Sequence, residues 1–279
     1  MGSPAARFRR RQMLGQYRIE RRLASGATAE VFAALDTELG IRVALKVPHD
    51  HLDRATLDSI RQEVRLVAKL DHPNIMPVRT AGEIAGHLVI VQPLGVESLA
   101  DRLARRMSRE RVLDIAGQLL AGLAHAHTQR VMHCDVKPDN IVLFDDGRVR
   151  LADFGLAKLA VHSIAASGSG TVGYVAPEQA LGRPSARSDV FSAGLVLYRM
   201  LAGRVPEWPY EWPYPELARA RRGYHSDLLE LVRHATQVDS RKRFESAVPL
   251  REAFERLRPR ALRSAARPRS PRRGGAAGA

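Results

Sequence analysis

The stretch "HCDVKPDN", His133 to Asn140, sets Asp135, Lys137 and Asn140 within six residues of chain, between a helix-like run and the apolar "IVLF" of 141–144. Eighteen residues after Asp135, across a predicted hairpin, Asp153 opens "DFG". Carboxylate and amide oxygens are hard ligands that suit Mg²⁺, an ion usually held by one or two carboxylates together with substrate phosphates. Phosphoryl transfer needs such a set, a base to orient an incoming hydroxyl, and cations to offset charge on the moving group. The stretch therefore asks whether these four residues meet, and what Cys134 does beside the acid.

Working outward, Tyr17 to Val47 shows three short runs of β-type alternation punctuated by "SGA" and "ELG", which predicts an antiparallel meander. "RATLDSIRQEVRLVAKL" then places Leu57, Ile60, Val64 and Val67 at helical spacing, with Asp53 as a cap. "NIMPV", "RTAGEI" and "HLVIVQPL" return to strand-like runs. Beyond Gly95 the pattern turns helical: Val112, Ile115, Leu119, Leu120 and Leu123 mark one long buried helix, and "DVFSAGLVLYRMLAG" and "HSDLLELVRHATQV" mark two more. An α+β chain results, with a β-rich lobe carrying one helix at about 17–94 and a larger helical lobe at about 95–257. Ligands usually bind in the cleft between such lobes.

Four motifs in order now stand on the page: "VALK" at 43–46, "HCDVKPDN" at 133–140, "DFG" at 153–155 and "APE" at 176–178. Together they strongly resemble the protein kinase signature over about residues 17–257, and the wording "GTVGYVAPEQ" looks most like the bacterial, eukaryotic-like Ser/Thr kinases. The resemblance implies the two-lobed protein-kinase-like fold and a Ser/Thr protein kinase using ATP with Mg²⁺, or Mn²⁺ in its place. It implies that Lys46 holds the α- and β-phosphates and pairs with Glu63, that Asp135 is the catalytic base, that Lys137 steadies the γ-phosphate, and that Asn140 and Asp153 bind the metal. The nucleotide would lie under Leu23, Ala24, Ser25, Gly26, Ala27, Thr28, Ala29, Glu30 and Val31, with Ala44 beside Lys46. A Glu178–Arg243 ion pair, Asp189 bracing the catalytic loop, and Thr171 near Asp135 and Lys137 also follow from it. Its partners would be protein substrates, with autophosphorylation at Ser163, Ser167, Ser169 or Thr171.

Two departures bear on activity. The glycine-rich loop "ASGATAEV", 24–31, keeps only Gly26 of three glycines. If Ala24 and Ala29 had to adopt positive φ, each would cost about 1–2 kcal/mol, and about 1.4 kcal/mol is tenfold in affinity. Cys134 stands where the family has an arginine that commonly pairs with a phosphorylated residue, which implies activity less dependent on such phosphorylation; a redox-sensing thiol is the alternative. The competing functions are a pseudokinase scaffold that binds nucleotide without transfer, motivated by the eroded loop, and a small-molecule phosphotransferase of the aminoglycoside type, against which "KPDN" and "GTVGYVAPEQ" speak. The region "RVPEWPYEWPYPELARARRGY", 204–224, shows no clear helix, and Trp208 and Trp212 are either exposed anchors or caps on the core.

Composition bounds the rest. The 279 residues, 45% hydrophobic and 27% charged, suit a folded globular chain. A single cysteine allows no internal disulfide and predicts a reducing, cytoplasmic setting. No apolar run approaches the roughly 20 residues a membrane span requires. Of the net charge of +14, eleven charges come from the arginines of residues 1–11 and 258–279, stretches without an acid. The remainder has an ordinary surface, so no specific nucleic-acid binding is expected. Residues 1–16 read as a basic extension and 258–279 as a disordered Arg-rich tail, solvated or reaching for acidic partners.

Overall fold

A computed structural model describes residues 7–154 and 172–262. The N-terminal lobe is a six-stranded antiparallel sheet in the order β1-β2-β3-β4-β6-β5, where β1 is Met13–Leu14, β2 Tyr17–Ser25, β3 Ala29–Asp36, β4 Ile41–Pro48, β5 Thr80–Ile84 and β6 His87–Pro93. Two-residue alternation on β4 sends Val43, Leu45 and Val47 into a core with Ile19, Phe32 and Val91. Ala44 and Lys46 therefore share the other face of that strand. The helix α1, Arg54–Val67, starts where Asp53 accepts the Thr56 N–H at 2.7 Å, as its sequence predicts.

Two boundaries move outward from the sequence reading. Phe8, read as part of a basic extension, is buried edge-on against Phe32, with ring centroids 5.3 Å apart. Arg7 donates to Pro48 O at 2.7 Å and meets Asp50 and His87. At the other end Ala261 is buried, and its carbonyl accepts from His225 N at 2.9 Å, so the packed chain runs past Leu257. "NIMPV" is also not a strand. Pro73 just before it and Pro77 within it remove backbone donors, and only Ile75 forms a lone bridge, to Leu151.

The C-terminal lobe is helical. After β7, Glu97–Ser98, and α2, Leu99–Arg102, comes the 20-residue α3, Arg109–Thr128. The strands β8, Ile141–Leu143, and β9, Val149–Leu151, form a small sheet with β7. Then follow α4, Pro177–Ala180; α5, Ala186–Ala202; α6, Leu217–Gly223; α7, Ser226–Ala235; and α8, Ala247–Leu257. The helix α5 runs through the core because close approach is built into it: a Cβ at Gly194 would lie 2.7 Å from Thr236. Both α6 and α8 lie where the sequence reading places no helix. Trp212 packs partly buried beside Tyr214, whereas Trp208 is 66% exposed, so the two tryptophans divide between the two readings.

Candidate active site

Between the hairpin strands and α3 the catalytic-loop stretch is fixed by its backbone. Asp189, buried near the start of α5, accepts the N–H groups of His133 and Cys134, each at 2.7 Å, and the His127 ring at 2.9 Å. Gln179 donates to Cys134 O at 2.6 Å. These bonds hold Cys134 at φ 61°, a left-handed conformation that costs a non-glycine residue about 1–2 kcal/mol. The demand for that conformation comes from backbone groups at His133 and Cys134.

His133 orders the next step. Its Nδ1 accepts from Asp135 N at 3.2 Å, so Nε2 carries the proton and donates to Ala152 O at 2.9 Å. Full burial pushes its pKa down, consistent with that neutral tautomer. One uncharged ring thus ties the chain at Asp135 to the residue before Asp153.

Asp135 points its carboxylate at Lys137 Nζ, 2.8 Å away, and at Asn140 Nδ2, also 2.8 Å away. Asn140 donates as well to Asp135 O at 2.9 Å, while its own backbone carbonyl accepts from Ala152 N at 2.8 Å. With Nδ2 committed twice, the Asn140 amide oxygen accepts no hydrogen bond among the described residues and remains a candidate ligand. Asp153, at φ 61°, turns its carboxylate to Lys46 Nζ at 2.7 Å. Burial pushes Asp153 up, but the charge and hydrogen bond of Lys46, helped by Lys137, hold it below the usual carboxylate range. One carboxylate and one amide oxygen suit Mg²⁺, whose remaining ligands are typically water and phosphate.

The predicted Lys46–Glu63 pair is not formed: among the described residues the ion-pair partner of Lys46 is Asp153. Glu63 does line a small cavity of about 30 Å³ with Lys46, Asp153, Phe154 and Met76. Burial pushes the Glu63 pKa up, Lys46 opposes and Asp153 adds to it, and the result is about 8. The glycine-rich loop also differs from expectation. Neither Ala24 nor Ala29 has positive φ; they end β2 and begin β3, and Gly26 N bonds Ala29 O at 2.9 Å. Of its other residues, Glu30 is buried and paired with Arg22 at 3.0 Å, and Val31 lies opposite Lys46 in the β3–β4 register. His49, which the sequence reading passed over, bonds Gly26 O through its ring at 2.9 Å and Thr28 O through its N–H at 3.0 Å.

Below the loop, Glu178 and Arg243 form the predicted pair, two-pronged at 2.7 and 3.0 Å, with Ser188 donating to Glu178 at 2.8 Å. Burial pushes Glu178 up, but the Arg243 hydrogen bonds and the donors around it bring it below its ordinary value. Gln179 is the other contributor missed; it directly follows "APE", and its reach to Cys134 O could not be read from spacing. Gly155, Ser163, Ser167, Ser169 and Thr171 lie outside the described residues.

The protein kinase domain family matches residues 17–246. The chain belongs to that family. The chain is 33% identical over 269 residues to the serine/threonine-protein kinase pkn2 of Myxococcus xanthus, covering 86% of this chain and 32% of that protein. It is 38% identical over 201 residues to PknL of Mycobacterium tuberculosis, covering 68% and 50%. The chain thus spans about a third to a half of the length of these relatives. Among solved structures, the PknI kinase domain of M. tuberculosis is similar with a TM-score of 0.67 and 25% identity, covering 90% of this chain and 99% of that one. The apo form of PpkA-294 has a TM-score of 0.76 at 21% identity, covering 88% and 99%, and supports the fold alone. No helix among the described residues is long and apolar enough to cross a membrane.

Proposed function

We propose that this domain transfers the γ-phosphate of ATP to serine or threonine hydroxyls of proteins. The observation that carries the reading is the cluster of Asp135, Lys137 and Asn140, drawn together by bonds of 2.8 Å and tied through Asn140 O and His133 to the chain that bears Asp153. Asp135 would accept the proton of the acceptor hydroxyl and orient it. Lys137, next to it, would steady the transferring phosphoryl and favours Ser/Thr as acceptor. Lys46 would hold the α- and β-phosphates under residues 23–31 and beside Ala44. Asn140 and Asp153 would hold Mg²⁺, or Mn²⁺, which when bound offsets charge on the phosphates. Protein substrates, including other copies of the same chain, fit the family, and a reducing compartment fits the single cysteine.

A second reading, a nucleotide-binding scaffold without transfer, draws on one observation: Lys46 and Asp153 neutralise each other at 2.7 Å and Glu63 stands unpaired with either. The complete charged set on the catalytic loop favours transfer. Incubating purified chain with radiolabelled ATP and Mg²⁺ or Mn²⁺, with and without a generic protein acceptor, separates the two. Label that appears in wild type and vanishes in Asp135→Asn and in Lys46→Met supports the kinase reading. Absence of label in wild type, or label retained in Asp135→Asn, overturns it.

A further inference from the structure

A cavity of about 570 Å³ lies away from the catalytic cluster, where the α2–α3 connection meets the C-terminal ends of α5 and α6. Its wall carries Arg105, Arg106, Arg109, Arg199, Arg219 and Arg222, and not one acid. We propose that this cavity binds a small ligand bearing two or more phosphate groups on a partly apolar body.

The charge balance is the first argument. Arg105 pairs with Glu97, and no other of the six arginines has an ion pair among the described residues. Residues 1–6, 155–171 and 263–279, which lie outside the described ones, contain no Asp or Glu that could supply a pair. The C-terminal ends of α5 and α6 each offer about half a negative charge. With Glu97 they leave about four positive charges around one concavity unopposed. Such self-repulsion is unfavourable unless an anion relieves it.

The second argument is that the wall is built. Arg102 donates to the carbonyls of Arg105, at 3.3 Å, and Arg106, at 3.0 Å, and so shapes the turn that presents both side chains. Arg109 reaches Gly223 O at 3.2 Å and joins α3 to the end of α6, while Arg199 donates to the Tyr174 hydroxyl at 2.8 Å. Arg219 lies across Gly203, where the chain turns at φ 87°; a Cβ at that residue would stand 2.8 Å from its Nη1. Arg106, Arg219 and Arg222 make no side-chain hydrogen bond to any described residue. Three guanidinium forks are therefore available, and such forks match phosphate in two-pronged fashion.

Size and lining choose between ligand classes. A volume of about 570 Å³ falls within the range for small-molecule sites, about 300–1,000 Å³. Met107, Val112, Met200 and Tyr224 give the cavity an apolar side, which leaves room for a carbon body beside the phosphate groups that the arginines would hold. An extended acidic peptide would engage arginines spread along a surface, not gathered around a hollow.

The probe is inorganic tripolyphosphate, titrated calorimetrically into the full-length chain at two salt concentrations. Because the chain is basic overall, the comparison is between the rim variant R106Q/R219Q/R222Q and a control with the same loss of charge at exposed sites elsewhere, R18Q/R65Q/R256Q. The rim variant should bind at least about tenfold more weakly and the control less than about twofold. Equal weakening in both, or none in the rim variant, overturns the proposal. So does a decaglutamate peptide that binds more tightly than tripolyphosphate with the same dependence on the rim, which would make the cavity a dock for acidic proteins. Should the triple variant fail to fold by circular dichroism, Arg222→Gln alone, on the exposed rim, should still weaken binding about threefold; no change there counts against the proposal.

Discussion

The two sides of the cleft are held by different means. On the C-terminal side, Asp135 lies in a mesh anchored by buried Asp189, neutral His133 and Asn140, with several bonds to backbone groups. On the N-terminal side, among the described residues, Lys46 is held by one ion pair, Glu63 by none, and residues 26–28 by contacts from His49. The first arrangement fixes the groups that would do chemistry before any ligand arrives. The second commits one N–H of Lys46 and one oxygen of Asp153 to each other, so under the proposed function their pairing is what a bound nucleotide and metal would have to share or displace. This contrast relocates the doubt raised by the sequence, from missing glycines to the pairing of Lys46.

The sharpest break of the comparison is at Asp135. Replacing it with Asn keeps a polar group of the same shape but removes the proposed base, and transfer should fall by about 10²–10⁴. Thermal stability should change little, since the Asp135 carboxylate is partly exposed and its partners can turn to water. A large loss of stability in this variant would mean that the carboxylate is structural. Asp189 gives the opposite profile. Asp189→Ala strands the N–H groups of His133 and Cys134 and the His127 ring in a buried region, at about 1–3 kcal/mol for each group left without a partner. Denaturant midpoints and transfer rates should fall together. If activity falls with stability intact, the C-terminal side is looser than its hydrogen bonds imply.

Much of this was readable from residues alone, for a physical reason. Period-two alternation on β4 and helical spacing on α1 and α3 report one-sided burial, which local sequence encodes directly. Asp189, Glu178 and Arg243 were placed through the family resemblance, and their geometry agrees with it. What escaped was anything set by distant packing. A lone Phe8 among arginines carries no periodic signal, yet it fills a gap beside Phe32. The apolar "NIMPV" has the hydrophobicity of a strand, but Pro77 within it and Pro73 before it lack the N–H groups that a ladder needs. Asn74 instead serves as a connector, donating to Gln118 at 2.8 Å and to Val149 O at 2.9 Å. The partner of Lys46 was likewise invisible: the resemblance pointed to Glu63 alone, and only the position of α1 leaves Lys46 to Asp153 instead.

Glu63 offers the next test. Its acid dissociation moves from an ordinary 4.5 to about 8 in the folded chain, mainly by burial. Between those values the folded state holds a proton that the unfolded state has lost, so stability is greatest at the acid end of the window and declines as pH rises toward 8. The decline should be on the order of a few kcal/mol. Glu63→Gln, which cannot ionise, should remove that part of the pH dependence. Urea midpoints for both proteins at pH 5, 6.5 and 8 check this. Parallel curves would mean that Glu63 is already ionised and paired at neutral pH, and that the two sides of the cleft differ less than described.

The smallest effects are expected at the glycine-rich loop, where the sequence had raised the most concern. Ala24 and Ala29 are in extended strand conformation and pair with Val31 and Pro48, so neither bears the left-handed strain that a glycine would relieve. Restoring the family pattern with Ala24→Gly and Ala29→Gly should therefore bring no gain in affinity for ATP. It should instead cost about 0.5–1 kcal/mol of stability at each strand position through added chain entropy. His49→Ala removes the ring contact to Gly26 O but keeps the backbone bond to Thr28, a loss of about 0.5–1.5 kcal/mol at most. KM for ATP should then rise no more than about tenfold, with kcat unchanged. If the glycine variants instead lowered KM, the loop would have to leave its strand conformation to receive nucleotide, and the N-terminal side of the cleft would be mobile in the loop as well as in the pairing of Lys46.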